Sequence, residues 1–580
     1  MPRKTLSHMT SRRSFLTASA VAGLFPLASC GSSASYSRPN IVLIVLDDVG
    51  FSDLGPYGSE IRTPSIDSLA RDGVRFNRFD TKAICSPTRA SLLTGCNPQT
   101  VRMADLPVAN PDPANTTKNR GELPGNARLL AQVLKDAGYA TAAFGKWHLA
   151  PGKENGQPGN NTSWPLQRGF DYFYGFLSGW TDQYHPALVE NNAALPVPDD
   201  PAYHLSVYLV DRAIARIDGT RGAAPDKPFF TYLAFGAGHS PIQVPRAYID
   251  RYNGIYERGW DVLREQRFAR MQAIPGLLPQ GTRLPARNTG DRAWSDLSED
   301  EQVVFARFMA TYAGFIEHTD EQIGRLVAHL KATGTYDNTV FVVLSDNGAA
   351  NEAGQTGSFE RLYWPNTLTP AQMRARLDEL GTDKTQSQYQ RPWAMLGNTP
   401  FRRYKLWPHA GGVRTPMILS WKDRIDTPGT VRQQYLDVSD LAPTLAELAG
   451  TAFPASVDGV AQVPVAGKSI EPVLRDPQAA GRDVQFFEMR GQRAITSGTW
   501  KAVAIHQYGK DFADDRWSLF DLANDYAETT NVAAVYPAKL DELKRLWASE
   551  AAKYSMPALS EPAAGTPYYD DYGDALLEKD

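Results

Sequence analysis

The 580-residue chain reads as an α/β protein, with helices on both faces of a mostly parallel sheet and a smaller carboxyl-terminal α+β domain after it. Three observations predict this. The runs 41–46 (IVLIVL) and 339–344 (TVFVVL) are continuously apolar and rich in β-branched residues, the pattern of strands buried on both faces. Helical and strand patterns alternate around them along most of the chain. From about residue 484 the pattern changes to shorter strands and one closing helix.

A Gly- and Ser-rich linker, residues 31–39, leads into the first buried strand. Thr63-Pro64 opens a short helix, since proline suits a first helical turn, and Gly73 stops it. A helical pattern over 126–137 precedes a strand over 140–144. Residues 186–295 read as irregular, rich in Pro, Arg and Gly apart from a strand at 229–234, and are expected to cover the sheet edges and shape the pocket. Ser298 and Glu301 form a capping box ahead of a long amphipathic helix carrying Val304, Phe308, Phe315, Ile323, Leu326 and Leu330, which Gly334 ends. The second buried strand follows. Strands at 485–489 and 500–504 and a helix at 537–553 complete the prediction. Residues 40–480 thus form a large domain, 481–555 a small one, and 556–580 an acidic tail. There is no internal repeat.

A hydrophobic content of 42% supports a large buried core. The net charge of −4 comes without a basic excess or a charge block, which argues against a nucleic-acid partner. The amino terminus carries Ser11-Arg12-Arg13-Ser14-Phe15-Leu16 and then an apolar stretch to Leu27-Ala28-Ser29-Cys30. That stretch is shorter than the ~20 residues a bilayer span needs and contains Pro26, so residues 1–30 read as an export signal. The paired arginines resemble a twin-arginine signal, and Leu-Ala-Ser-Cys a lipoprotein box with Cys30 as the lipidated residue. An ordinary cleaved signal is the alternative. The expected location is the periplasm or cell envelope, with membrane contact through the amino-terminal lipid alone. Cys30, Cys85 and Cys96 are the chain's three cysteines. With the first two modified, no internal disulfide is available, and stability must come from the core and a bound metal.

Both buried strands end in acids, as Leu46-Asp47-Asp48 and Leu344-Ser345-Asp346-Asn347-Gly348. The carboxyl ends of strands in an open α/β sheet form the ligand crevice, so the two sets can converge there. Adjacent carboxylates repel unless a cation lies between them. Three Asp and one Asn make an all-oxygen set for a hard ion, and the Asn carbonyl favours Ca²⁺ over Zn²⁺. One Ca²⁺ is expected, with Mg²⁺ as the alternative.

Cys85 opens Cys85-Ser86-Pro87-Thr88-Arg89, followed by Thr94-Gly95, and a second long motif runs from Gly138-Tyr139-Ala140-Thr141 to Gly145-Lys146-Trp147-His148-Leu149. With both motifs in this order, over roughly residues 38–555, the chain resembles the type I sulfatases, and bacterial arylsulfatases most of all. The resemblance implies an alkaline-phosphatase-like sandwich and a small carboxyl-terminal sheet domain. It also implies that a formylglycine-generating maturation enzyme oxidises Cys85 to formylglycine. One hydroxyl of the aldehyde hydrate then attacks sulfur, and the other, once deprotonated, expels sulfate. Cys85 joins Asp47, Asp48, Asp346 and Asn347 at the metal. Unmodified, it would be nearly inert.

By the same resemblance, Arg89 holds the hydrate and its neighbours, Lys146 binds the sulfate, and His148 assists deprotonation. Arg89 lies four residues beyond Cys85, on the same face if a helix starts at the motif. Lys146 and His148 alternate, and so point to one side of an extended segment. His239, in Gly238-His239-Ser240-Pro241, resembles the family's histidine near the leaving-group oxygen. Lys405 matches the lysine preceding Gly411-Gly412-Val413-Arg414-Thr415-Pro416. Many relatives carry Glu just before the two glycines; this chain has Ala410, with His409 as a partial substitute. His185, His204 and His409 match no motif. Trp147, Tyr174, Trp180 and Tyr184 offer aromatic surface for an aryl or sugar ring. The predicted activity is hydrolysis of a small-molecule or saccharide sulfate ester. A phosphonate or phosphate monoester hydrolase of the same superfamily, or a non-catalytic binding protein, are the competing readings.

Overall fold

In the computed structural model, the described residues are 38–107, 121–151, 161–288, 290–360, 366–422 and 424–559. The export signal, most of the linker and nearly all of the acidic tail lie outside them.

Five parallel strands form the heart of a ten-stranded sheet, in the spatial order Thr339–Ser345, Asn40–Leu46, Phe229–Ala234, Ala140–Lys146 and Tyr172–Phe176. Met417–Ser420 joins antiparallel beside Thr339–Ser345 and carries Gly73–Phe76 on its far side. Parallel alignment puts the carboxyl ends of the five strands on one rim. Both apolar runs are buried along their whole length, and their alternate residues serve two different cores. Val42, Ile44 and Leu46 pack with the long helix Glu299–Ala332; Ile41, Leu43 and Val45 pack with Cys85–Thr94, Leu130–Asp136 and Leu441–Leu448. A strand covered on both faces has no polar alternation to display, so the continuous runs were legible.

The capping box forms as expected: Ser298 N donates to Glu301 Oε2 (2.8 Å) and Glu301 N to Ser298 Oγ (3.3 Å). Pro64–Asp72 is the predicted short helix. The helical pattern at 126–137 shortens to Leu130–Asp136, because the chain turns first, with Ala127 N bonded to Pro124 O. Residues 186–295 hold two substantial helices that the irregular reading missed, Leu205–Ala223 and Trp260–Ala273. The second is hard to see in the hydrophobic periodicity because Arg264 and Arg267 interrupt its buried face between Leu263 and Met271. Arg267 is wholly buried there and pairs with Asp53 (2.7 Å) and Glu60 (2.5 Å). The first contains Gly219 and Gly222, which weaken a helical pattern.

The carboxyl-terminal sheet is antiparallel, in the order Val484–Met489, Gln492–Ser497, Trp500–Ala504, Trp517–Asp521, so two strands join the two predicted ones. One face packs under the helix Pro537–Lys553 through Phe486, Ile495, Leu519 and Trp547. The other, with Phe487, Ala494, Val503 and Phe520, belongs to the core of the main body.

Gly145 adopts φ +91° inside its strand, and a Cβ there would stand 1.8 Å from Ala234 O in the neighbouring strand. Gly145→Ala is therefore expected to destabilise the protein by ~2–4 kcal/mol through strain and overpacking, read as a drop in the urea midpoint. A loss below about 0.5 kcal/mol would show that the strand spacing adapts.

Candidate active site

The carboxyl-end rim gathers the acids. Asp47 and Asp48 leave Asn40–Leu46, and Asp346 leaves the adjacent strand Thr339–Ser345, where Asp48 N donates to Asp346 Oδ1 (3.3 Å). Cys85 begins the buried helix Cys85–Thr94, and its Sγ lies 3.7 Å from Asp47 Oδ1. Ligand atoms of Asp47, Asp48, Cys85 and Asp346 all fall within 4.8 Å of one another, every residue buried. Two unit charges 4 Å apart still interact by ~4 kcal/mol at an effective dielectric near 20, so this grouping requires compensation.

Cations from three elements provide part of it. Arg89, one turn after Cys85, brings Nε (3.0 Å) and Nη2 (2.7 Å) to Asp346 Oδ2, and Nη1 reaches Lys146 O and Tyr232 Oη, each at 3.3 Å. Lys146 Nζ meets Asp47 Oδ2 at 2.6 Å. Lys405 Nζ lies 3.1 Å from Asp48 and 2.7 Å from Glu352 Oε1. Four carboxylates thus face three fixed cations. Burial, with Asp346 adding to it, pushes Asp47 up to about 8 in spite of Lys146. Burial also raises Asp48, but Lys405, His239 and Lys146 outweigh it and bring that carboxyl down to about 2.

The remaining donors suit a metal. Asn347 Nδ2 donates to Asp48 Oδ1 (2.6 Å) and Gly348 O (2.9 Å), and its buried Oδ1 has no hydrogen-bond donor among the described residues. An orphaned amide oxygen beside three carboxylates is the hard-oxygen set that a divalent cation completes. Asp48 itself holds a left-handed backbone, φ 60°, a conformation that costs energy outside glycine.

The two histidines flank this centre. His148 follows Lys146 by two residues, but its φ of 54° breaks the extended geometry that alternation assumed. It stays at the site nonetheless: Ser86 Oγ donates to its carbonyl (2.8 Å), and burial together with Lys146 and Arg89 drives the imidazole far below its usual pKa. His239 Nε2 is 3.7 Å from Asp48 Oδ2, and burial pushes the ring down to about 4 against the pull of Asp48. Its Nδ1 lies 2.7 Å from Ser240 O, a contact that requires the proton on Nδ1 and leaves Nε2 of the neutral ring as an acceptor.

All ten predicted residues, Asp47, Asp48, Cys85, Arg89, Lys146, His148, His239, Asp346, Asn347 and Lys405, converge on this rim. Two expectations need correction. His409 does not take over support of Lys405; its ring sits near Phe520, and the carboxylate on Lys405 is Glu352, six residues beyond Asp346. A lone Glu in a Gly- and Ala-rich loop carried no signal. The place that Ala410 leaves without a side-chain acid is met from a distance, where Ala410 N donates to Glu528 Oε2 (3.0 Å) and Lys501 holds Oε1 (2.7 Å). Trp147 and Tyr174 are wholly buried and unavailable for stacking, whereas Trp180 is 41% exposed. His204 is a buried helix cap accepting from Ser206 N, and His185 lies at the surface beside Asp383.

Comparison with known proteins agrees with the geometry. A family model described as Sulfatase matches residues 39–451, and one described as N-sulphoglucosamine sulphohydrolase, C-terminal, matches 403–548. The arylsulfatase of Klebsiella aerogenes is 32% identical over 448 residues, 73% of this chain and 89% of that one. An N-acetylgalactosamine-6-O-sulfatase of Bacteroides thetaiotaomicron is 26% identical over 88% of this chain and 92% of its own. Among solved structures, Ps i-CgsB in complex with k-i-k-neocarrahexaose superposes with a TM-score of 0.62 at 24% identity, covering 91% of this chain and 95% of that one.

The purified protein is expected to carry one divalent cation per chain by elemental analysis, and exhaustive chelation should lower its melting temperature. A metal at 1,000 times its Kd stabilises the folded state by about 4 kcal/mol. An unchanged melting temperature after complete metal removal would count against the site.

Proposed function

The chain belongs to the sulfatase family and hydrolyses sulfate monoesters, and we propose that it does so through formylglycine at residue 85 and one Ca²⁺, on aryl sulfates or sulfated saccharides. The observation that carries this reading is the unbroken Cys85-Ser86-Pro87-Thr88-Arg89 motif opening a buried helix against the acid cluster. Burial drives the Cys85 thiol far above its usual range, so the unmodified side chain is a poor nucleophile. A thiol so placed makes sense as a precursor, which presumes a maturation enzyme that reads the motif. The hydrated aldehyde supplies the attacking hydroxyl and, afterwards, the group that expels sulfate. Asp47, Asp48, Asp346 and Asn347 would hold the cation, which supplies Lewis acidity toward the sulfate oxygens. Their all-oxygen chemistry, with an amide carbonyl among the donors, favours Ca²⁺ over Zn²⁺, with Mg²⁺ as the alternative. A divalent charge turns the balance of four carboxylates and three cations positive, matching the single negative charge of a sulfate ester.

The surrounding side chains divide the proton work. Lys146 and Arg89 fix the acids and present positive charge to sulfate. His148, held neutral, accepts the hydroxyl proton that must leave for sulfate to depart. His239 and Lys405 lie on either side of Asp48 and together neutralise the charge that develops on the leaving oxygen. Names of relatives span both substrate classes, aryl sulfate and N-acetylgalactosamine 6-sulfate.

Two substitutions test the chemistry. Cys85→Ala should fold and lose more than tenfold in turnover of 4-nitrophenyl sulfate, over ~1.4 kcal/mol in barrier, and the wild-type peptide spanning residue 85 should have the mass of the aldehyde. Lys405→Met should slow esters of poor leaving groups far more than nitrophenyl esters, whose oxygen needs little protonation. Equal losses across the series would remove Lys405 from that role, and faster turnover of phosphonate than of sulfate esters would overturn the substrate class.

We also propose export through the Arg12-Arg13 signal and anchoring through lipid on Cys30. One acyl chain binds a membrane only marginally, so firm anchoring needs a second signal or chain. Cys30→Ser is expected to move activity from the membrane to the soluble envelope fraction without loss of turnover. A wild-type protein that is already soluble and begins beyond Cys30 would refute the anchor.

A further inference from the structure

Segment 177–187 leads from the catalytic centre to a cleft that the chemistry above does not use. At its near end Leu177 O accepts from His148 N (3.1 Å), and Gly179 lies so close beneath the imidazole that a Cβ would stand 2.6 Å from Cε1. Ser178 Oγ then donates to Trp180 O (2.6 Å), and the indole of Trp180 faces outward. Asp182 Oδ1 accepts from Tyr184 N (2.8 Å) and His185 N (2.7 Å), closing an Asx turn.

The stretch after His239 fastens the same wall from the other side. Gln243 Oε1 accepts from Gln183 N (2.8 Å), and its Nε2 donates to Asp182 Oδ2 (2.7 Å). At the far end Tyr184 Oη donates to Gly381 O (3.2 Å), and the wall opens on a cleft of about 650 Å³. Tyr184, His185, Asp200, Tyr203, Arg246 and Asp383 line it. That volume is typical of a small-molecule site. Tyr184 lies five positions beyond Gly179, and the lining residue Val244 five positions beyond His239. Even fully extended, five residues span no more than ~18 Å, so the cleft is close to both catalytic histidines.

Its charge is informative. Arg246 is taken up by Asp250 (2.8 Å) and Asp378 (2.6 Å), and His185 by Asp383 (3.3 Å). Asp199 and Asp200, in the same wall, have no cationic partner among the described residues. Carboxylates without a cationic partner among the described residues disfavour a second sulfate, while carboxylates and imidazole suit a ring bearing hydroxyl groups.

We propose that this cleft is a second saccharide subsite, which takes an unsulfated sugar ring of an oligosaccharide whose sulfated ring lies at the metal, with Trp180 stacking on the chain between them. The proposal rests on the saccharide reading above. The side chains of His185 and Asp383 are 70% and 48% exposed, so replacing both by Ala should leave the fold intact. Singly sulfated galactan and N-acetylhexosamine oligosaccharides of one to four rings are compared with 4-methylumbelliferyl sulfate. Wild-type kcat/KM is expected to rise about tenfold or more with length. The double variant and Trp180→Ala should lose that rise, the double variant should hydrolyse the short aryl ester within about twofold of wild type, and a second sulfate on the distal ring should remove the gain. Wild-type rates independent of length, or equal losses on both substrate types, would overturn the subsite alone. Turnover of the aryl ester with none of any sulfated saccharide would overturn the saccharide reading together with it.

Discussion

The constraint on which the rest of the structure depends is the close burial of Asp47, Asp48 and Asp346 at the ends of two adjacent parallel strands. Register makes it unavoidable: Leu46 pairs with Ser345, so the residues that follow emerge side by side on one rim. Such a grouping is unfavourable without counter-charge. Arg89, Lys146 and Lys405, brought in by a helix, a strand and a loop, each take one of the acids. Their number falls one short once Glu352 is included, and the orphaned Asn347 oxygen marks where the missing positive charge belongs. The same electrostatic requirement therefore explains the metal, the buried cations and the affinity for an anionic ester.

Holding this cluster in place takes a second layer of charge. Asp53, a few residues past the metal-facing pair, accepts from Gly50 N (3.1 Å) and so closes the loop 47–53. It is gripped by Arg267 (2.7 Å) and by the stacked pair Tyr312 and Tyr389, whose hydroxyls reach it at 3.0 and 3.3 Å. Breaking a buried pair of this kind exposes an uncompensated charge in the interior, which is why the polar support is as unforgiving as apolar packing. It also joins the helix Trp260–Ala273 to the active centre through Arg267.

What was legible in the sequence follows from this division. Strands buried on both faces announce themselves by continuous apolar runs, and acids at their ends are unusual enough to be read as a site; Asp47, Asp48, Asp346 and Asn347 were found that way. The motifs around Cys85 and Lys146, and the shorter matches around His239 and Lys405, identified the remainder by resemblance. Residues whose roles are set by partners distant in sequence were not legible. Glu352 matters because Lys405 lies beside it, and Glu528 because its carboxylate reaches Ala410; neither has a local pattern. The helix Trp260–Ala273 escaped for the same reason, since Arg267 is buried by pairing with Asp53 and Glu60 rather than by hydrophobicity.

The contacts of Glu528 bear on how separate the small carboxyl-terminal sheet is. Lys501, on the strand Trp500–Ala504, fixes one carboxylate oxygen, and the other meets the backbone of Ala410, five residues after Lys405. Nearby, Tyr526 Oη donates to Asn77 O, and Arg414, which closes the Gly411-Gly412-Val413-Arg414 motif, is held by Asp80 (2.8 Å). Phe487, Val503 and Phe520 bury the inner face of the sheet in the core of the main body. In a chain that lacks Glu before its glycine pair, Lys405 draws its carboxylate from Glu352, and Glu528 ties the backbone at Ala410 to the small sheet. The carboxyl-terminal part serves as a structural wall for the segment carrying Lys405, and its apolar inner face would be exposed without the larger body.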